Sequence, residues 1–385
     1  MPWKETCPME ERLKLVRDWL KGNESVKELS VLYNVSRKTA HKWIKRFKSS
    51  GAEGLKERSR APRHHPNGTS REVRARLLDI RRKHPYWGPR KLLVRLAKQE
   101  PTIEWPAPST AGGILKRYGL VRLRGRRRRT PLFRGPYERG TNPNAIWAAD
   151  FKGWFRTQDG RRIDPLTITD WQSRYLIRCQ AVQKTNAREI KEEFEQAFRE
   201  YGLPQAIRTD NGPPFASVGL GGLTRLSVWW IRLGILPERI RPAHPQDNGR
   251  HERMHRSLLQ EAAQPPKESF WAQQKEFDTF RQRFNQERPH EALEMKTPSD
   301  VYLPSQRVFP NRLPEMIYGD EFSVRRVRSN GEIKWAGEFL FISEALVGEY
   351  VALKQTSETS WAVHFGPLCL ASFNSVTKRL QRNQR

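Results

Sequence analysis

Residues 244–259, HPQDNGRHERMHRSLL, set a proline and a glycine in front of an unbroken run of helix-compatible residues. Pro245 and Gly249 open the stretch as a turn, and the residues after them continue as a helix. At helical spacing Asn248, Glu252 and Arg256 share one face, with Glu252 one turn in. A lone surface glutamate is ordinarily solvated and carries no message. Two aspartates upstream give this one a context. Asp150 closes the pattern WAAD before Phe151, and Asp210 closes the short apolar pattern AIRTD, which stops at Asn211-Gly212. Two strand-end aspartates and one helix glutamate can converge on a point. Three convergent carboxylates are the donor set that a pair of hard divalent cations requires.

The pieces Trp147-x-x-Asp150, Thr209-Asp210-Asn211-Gly212 and Pro245-x-Asp247-Asn248-Gly249-x-x-Glu252-Arg253 with His255, in that order, resemble the DDE catalytic domain shared by retroviral integrases and bacterial insertion-sequence transposases. The resemblance is strong over residues 145–305 and looser over the N-terminal region. It implies an RNase H-like α/β core in which Asp150, Asp210 and Glu252 are both the catalytic residues and the metal ligands. Asp150 would bridge two Mg2+ ions, with Mn2+ as a substitute, while Asp210 holds one ion and Glu252 the other. It further implies a DNA transposase that binds the terminal repeats of a mobile element, cleaves the ends and transfers the freed strand into target DNA. Arg253 after the glutamate points to the insertion-sequence branch. The 42 positions between Asp210 and Glu252 exceed the commonest family spacing, through a glycine-rich insertion over 212–222. Those glycines lack a following Lys-Ser/Thr, which excludes a P-loop, and the segment reads as a mobile loop.

Other acids and histidines compete for a role. Asp170 reads as a structural turn acid, Asp164 as part of a hairpin, and Asp247 as the cap of the helix that starts after it. Asn248 is placed to touch the site from behind. His251 and His255 are four apart, a metal-like spacing with His244 nearby, but a zinc site lacks its fourth ligand. Lys152, Arg253 and His255 read instead as contacts to DNA phosphates.

The formal net charge is +29, and it is concentrated. The first 145 residues hold 36 Lys and Arg against 13 Asp and Glu, whereas the last 76 hold 10 against 8. Such an excess in one third of a chain argues for a polyanion partner, here double-stranded DNA, and no basic amphipathic helix with an aromatic face supports a membrane. Residues 1–50 show two short helical patterns, a tight turn and a basic third helix, which is a helix-turn-helix domain offering Arg37, Lys38, His41 and Lys42 outward. Leu13, Val16, Trp19 and Leu20 form the expected inner face of the first helix, and Val26, Leu29 and Leu32 that of the second. Residues 51–68 read as a linker, in which His64-His65 are solvated. A second helix-turn-helix domain is expected over 69–120, with Ser109, Thr110, Lys116 and Arg117 as groove contacts. Residues 121–145 hold eight arginines against one acid. That run cannot pack, and Arg126, Arg127, Arg128 and Arg129 suit a DNA-tracking arm.

Residues 146–309 alternate strand and helix patterns as an α/β core. Residues 310–385 shift to period-two alternation with a Ser329-Asn330-Gly331 turn, the pattern of a small SH3-like barrel. The cysteines Cys7, Cys179 and Cys369 are scattered and odd in number, which suits a reducing cytoplasm, here bacterial and close to the nucleoid. Synapsis of two DNA ends implies a dimer or tetramer. Two rivals stand beside the transposase: a non-catalytic DNA-binding protein that uses the core to oligomerise, and an RNase H-like nuclease without joining activity.

Overall fold

The computed structural model describes residues 7–59, 68–121, 140–241, 244–377 and 379–382. They fall into two compact units, Met1–Gly68 and Thr69–Arg385. His64 and His65, like Arg126, Arg127, Arg128 and Arg129, lie outside the described residues. Among those described, no helix is long and apolar enough to cross a membrane.

The first unit is built on α1 (Pro8–Lys21), α2 (Val26–Leu32) and α3 (Arg37–Ser50). Gly22 ends α1 in the left-handed conformation, Ser25 and Glu28 form a reciprocal capping box on α2, and the Ser36 side chain accepts from the Thr39 N–H to start α3. Leu15, Val16, Leu29, Ala40, Trp43 and Ile44 are buried between them. The expected inner faces need correcting: Leu13, Leu20 and Leu32 are exposed. The seven residues of α2 make barely two turns, so it hides one leucine and leaves the next outside. The linker also starts later than expected. Gly51–Leu55 is a 3-10 turn, Leu55 is fully buried, and Arg12 Nη1 donates to the Leu55 carbonyl at 2.9 Å.

The second unit opens with α4 (Arg71–Lys83), α5 (Pro89–Gln99) and α6 (Pro108–Arg117), packed around Leu77, Leu78, Ile80, Trp87, Leu92 and Ile114. Ala107 stands at the cap of α6, so Ser109 and Thr110 sit inside its first turn. The core comprises β1 (Ile146–Phe151), β2 (Phe155–Arg156), β3 (Arg162–Asp170), β4 (Leu176–Val182), α7 (Ala187–Tyr201), β5 (Ala206–Thr209), α8 (Arg225–Arg232), β6 (Leu236–Arg239), α9 (Gly249–Leu258) and α10 (Phe270–Gln286). Its sheet runs β2-β3-β1-β5-β6 with β4 also on β3. The β1–β5 and β5–β6 pairs are parallel and β1–β3 is antiparallel. This mixed sheet brings the ends of β1 and β5 side by side. Phe194, Phe198, Trp229 and Trp230 of α7 and α8 pack against it with Trp147, and Met254, Phe277 and Phe280 of α9 and α10 with Leu176 and Cys179.

The C-terminal region is all-β: β7 (Ser323–Arg326), β8 (Glu332–Trp335), β9 (Glu338–Phe341), β10 (Tyr350–Gln355), β11 (Ser360–Phe365), β12 (Leu368–Asn374) and β13 (Leu380–Arg382). Its hydrogen-bonded path is a five-stranded sheet, β13-β12-β11-β10-β7, beside the β8–β9 hairpin, rather than one closed ring. The Ser329-Asn330-Gly331 turn forms, yet its flanking strands do not ladder with each other: β7 pairs with β10, and β8 with β9. The hairpin reversal sits at Ala336-Gly337, both with left-handed φ.

Leu55→Ala is expected to loosen the first unit by about 2–4 kcal/mol, against under about 0.5 kcal/mol for the exposed Val31→Ala. Native-state hydrogen exchange of the α3 amides reads the difference. Equal protection in both variants would restore Leu55 to the linker.

Candidate active site

Asp150 lies near the end of the central strand β1, and Asp210 directly follows β5, its parallel neighbour. Glu252 lies in the first turn of α9 and is exposed. The three share one electrostatic neighbourhood. Asp150 is pushed up from the usual carboxylate value to about 7, first by burial and then by the negative charges of Asp210 and Glu252. Burial raises Asp210 as well. Asp210 Oδ1 and Asn248 Oδ1 are buried with no hydrogen-bond partner among the described residues. Repelled carboxylates beside unpartnered oxygens are the surroundings that a divalent cation relieves, so the donor set fits a hard metal ion.

The helix is pinned to the sheet beneath these acids. Thr167 of β3 stands opposite Asp150 in the β1–β3 ladder. Its hydroxyl lies 2.6 Å from His251 Nε2, 2.7 Å from His255 Nε2 and 3.1 Å from the Asp150 carbonyl oxygen. Thr169, on the same face of β3, reaches His251 Nδ1 at 3.0 Å. Both rings are buried, and burial drives His255 down to about 3 and His251 well below its ordinary value, so both are neutral. From the start of α9, Asn248 Nδ2 donates to Asp150 Oδ2 at 3.3 Å.

Several sequence expectations change here. His255 is buried under Asp150 and neutral, so it is not a cationic phosphate contact. Asp247 is not a cap. It is fully buried and holds Arg241 through Nε and Nη2, each at 2.9 Å, while the α9 N-terminus has no side-chain cap. Asp170 is the structural acid expected, accepting from the backbone N–H groups of Asn144 and Ser173, each at 2.7 Å. The glycine-rich segment is anchored: Leu220 and Leu223 are buried in one cluster with Val351, Phe365 and Leu370 of the C-terminal sheet. Arg253 is exposed and Lys152 partly so. Arg37, Lys38, His41 and Lys42 are exposed on α3, and Ser109, Thr110, Lys116 and Arg117 on α6. Sequence reasoning misses Thr167, Thr169 and the buried Arg208, which pairs with Glu238 at 2.7 Å.

Two family models described as Integrase core domain match residues 140–245 and 233–298. A Helix-turn-helix domain model matches 11–63, and a Homeodomain-like domain model 39–115. The chain is 26% identical over 231 residues to the insertion element IS476 uncharacterized 39.2 kDa protein of Xanthomonas euvesicatoria, covering 58% of this chain and 63% of that one. It is 26% identical over 159 residues to the insertion element IS407 uncharacterized 31.7 kDa protein of Burkholderia multivorans, covering 41% and 55%. The chain therefore spans about 55–63% of the length of these relatives. Among solved structures, the HTLV-2 integrase catalytic core domain in complex with magnesium aligns at 20% identity and a TM-score of 0.32, over 43% of this chain and 100% of that one.

Residues 140–298 carry an integrase core domain.

The integrase core carries a measurable electrostatic signature. Asp150 titrates higher in the fold than in the unfolded chain, so folding favours its protonated form. Its contribution is favourable below the ordinary carboxylate value near 3.8 and is lost as pH rises through about 7. In EDTA, Asp150→Asn should be more stable than the parent at pH 8 by up to about 4 kcal/mol, and the gap should close towards pH 4. Thermal melts across that range test this. A gap that does not vary with pH would mean Asp150 is an ordinary solvated acid.

Proposed function

We propose that this chain is a DNA transposase that binds the terminal repeats of its element, cleaves the DNA ends and joins the freed strand to target DNA. The observation that carries the reading is the carboxylate Asp150, held near neutrality by burial and by the charges of Asp210 and Glu252 beside unpartnered oxygens. An acidic site built to remain at an energetic disadvantage without a cation suits phosphodiester chemistry, in which nucleophile, phosphate and leaving group are all anionic. Mg2+ or Mn2+ fits the carboxylate donors Asp150, Asp210 and Glu252. Bound there, the ion supplies charge neutralisation at the scissile phosphate and acidity to the attacking water or 3′-hydroxyl.

The residues of the chain do the rest. Asn248 orients Asp150 through its Oδ2, and the Thr167 junction fixes α9, which carries Glu252, against β3. Arg253, next to Glu252, and Lys152, after β1, hold backbone phosphates near the acids. The exposed Arg37, Lys38, His41 and Lys42 of α3, and Ser109, Thr110, Lys116 and Arg117 of α6, provide two DNA-reading surfaces. Arg126, Arg127, Arg128 and Arg129 add sequence-independent attraction to DNA phosphates. Two such modules favour end recognition over a plain nuclease. Pairing of two ends calls for a homo-oligomer, a dimer or tetramer, in a bacterial cytoplasm close to the nucleoid.

Asp150→Asn and Glu252→Gln should each cut metal-dependent strand transfer from a labelled terminal repeat into a plasmid by about 10³-fold or more, with end binding retained. Undiminished joining in both variants would sink the reading, and cut ends without joined products would favour a nuclease. Replacing Lys38 and Lys42 by Gln should lower the salt dependence of end binding by about one counterion each. Mobility shifts over a salt series check this, and an unchanged slope would take α3 off the DNA.

A further inference from the structure

The Thr167 junction contains a hydrogen count that fixes more than the position of α9. A threonine hydroxyl has one hydrogen and two lone pairs. Thr167 Oγ1 has three partners: the Asp150 carbonyl oxygen at 3.1 Å, His251 Nε2 at 2.6 Å and His255 Nε2 at 2.7 Å. A carbonyl oxygen can only accept, so the arrangement that satisfies all three gives the hydroxyl hydrogen to Asp150. Both imidazoles then donate from Nε2. A neutral imidazole has one N–H, so each Nδ1 is left with a lone pair. His251 Nδ1 uses its lone pair on the Thr169 hydroxyl at 3.0 Å. His251 is therefore spent at both nitrogens.

His255 is not. Its Nδ1 faces Asp150 Oδ2 at 4.0 Å, too far for a hydrogen bond, and no donor among the described residues reaches it. Two lone-pair donors, one nitrogen and one oxygen, thus confront each other across a gap that metal–ligand bonds of about 2.1 Å each can span. Asp150, His251 and His255 do place one ligand atom apiece within 4.8 Å of one another. The hydrogen count removes His251 from that set and leaves the Asp150–His255 pair.

We propose that His255 Nδ1 is a direct ligand, beside the Asp150 carboxylate, of a divalent cation at this site, and that this nitrogen biases the site towards Mn2+ over Mg2+. The inference rests on the metal-dependent reading of the three acids. Mg2+ binds almost entirely through oxygen and gives up its water reluctantly, whereas imidazole nitrogen suits transition ions and Mn2+ takes both donor types. Thr167 then works as a positioning residue: by accepting from Nε2–H it keeps the Nδ1 lone pair turned towards the metal, as outer partners of metal-bound histidines do.

The test uses the full-length, metal-free protein loaded with less than one equivalent of Mn2+. Pulsed EPR is expected to show nitrogen hyperfine coupling to the bound Mn2+, and His255→Gln to remove it while Mn2+ remains bound. The same variant should lower the ratio of Mn2+ to Mg2+ affinity by about 10-fold in a competition titration. Long-range 1H–15N spectra of the metal-free parent supply a measurement that needs no variant, and are expected to show His255 protonated at Nε2. Bound Mn2+ without nitrogen coupling, coupling that persists in His255→Gln, or a proton on His255 Nδ1 would each overturn the inference and leave the three-acid reading standing. A parent that binds no Mn2+ would overturn both.

Discussion

The hydroxyl of Thr167 is the point at which the sheet and the acid-bearing helix become one object. Without it, α9 would rest on β3 through the packing of Met254 and Leu258 and the single Thr169–His251 hydrogen bond, which fix distance better than rotation about the helix axis. Two short hydrogen bonds to His251 and His255, one turn apart, set that rotation, and with it the direction of Glu252. The same junction decides the charge of the site. Two protonated imidazoles here would neutralise Asp150. Burial keeps them neutral instead, and the Lys152 charge offsets the repulsion from Asp210 and Glu252 only in part, so Asp150 stays raised. The fold thereby creates a demand for positive charge that its own side chains meet only in part.

The acids were legible in the sequence because their role is encoded locally: each aspartate closes a short strand pattern, and the glutamate comes one helical turn after a chain turn. The architecture around them was legible where periodicity is strong, as in β1, β3, β4, α7 and β5. It failed at β6. The segment Leu236–Arg239 carries a proline and two charged residues among four, and no apolar pattern marks it. What holds it is parallel pairing to β5 and the ion pair from Arg208 to Glu238 across 30 positions, neither of which a window of neighbours contains. The support of the site was hidden for the same reason. Thr167 reads as an ordinary strand residue, and its histidine partners lie 84 and 88 positions away. Asp247 resembles a cap because a cap is the local solution for an acid before a helix. Arg241, six positions back, binds it more strongly through a two-point contact.

The basic excess of the N-terminal third is not free in all places. On α5, Lys91, Arg95 and Lys98 fall at helical spacing along one stripe. Arg95 reaches Glu287 at 3.5 Å and Lys98 reaches Asp300 at 3.3 Å, so this stripe is turned against the integrase core and serves the packing of the three-helix bundle on it. Lys91, on the same stripe, is lowered to about 8 by burial and by Arg288. Net charge therefore overstates the surface available to DNA on this bundle, and α6, with Lys116 and Arg117 exposed, is the face that remains outward.

The glycine-rich segment after Asp210 shows how a loop can carry glycines without cradling a phosphate. Gly221 has a left-handed φ, and a Cβ there would meet Leu370 Cδ2 at 2.8 Å. Gly222 is left-handed as well, and a Cβ there would run into the Arg239 guanidinium, which donates to the Gly222 carbonyl. Both glycines are thus favoured by their left-handed φ, with the C-terminal sheet beside one and the Arg239 side chain at the end of β6 beside the other. Leu220 and Leu223 complete the anchor. The consequence reaches the acids. The chain leaving Asp210 passes Gly212, whose Cβ position lies 3.1 Å from Asp210 Oδ2, is tied down at Phe215 beside Phe151 and Trp230, and is tied down again by residue 220. The C-terminal region, nearly neutral in charge, influences the site through this mechanical route: it fixes the far end of the loop that begins at a candidate ligand.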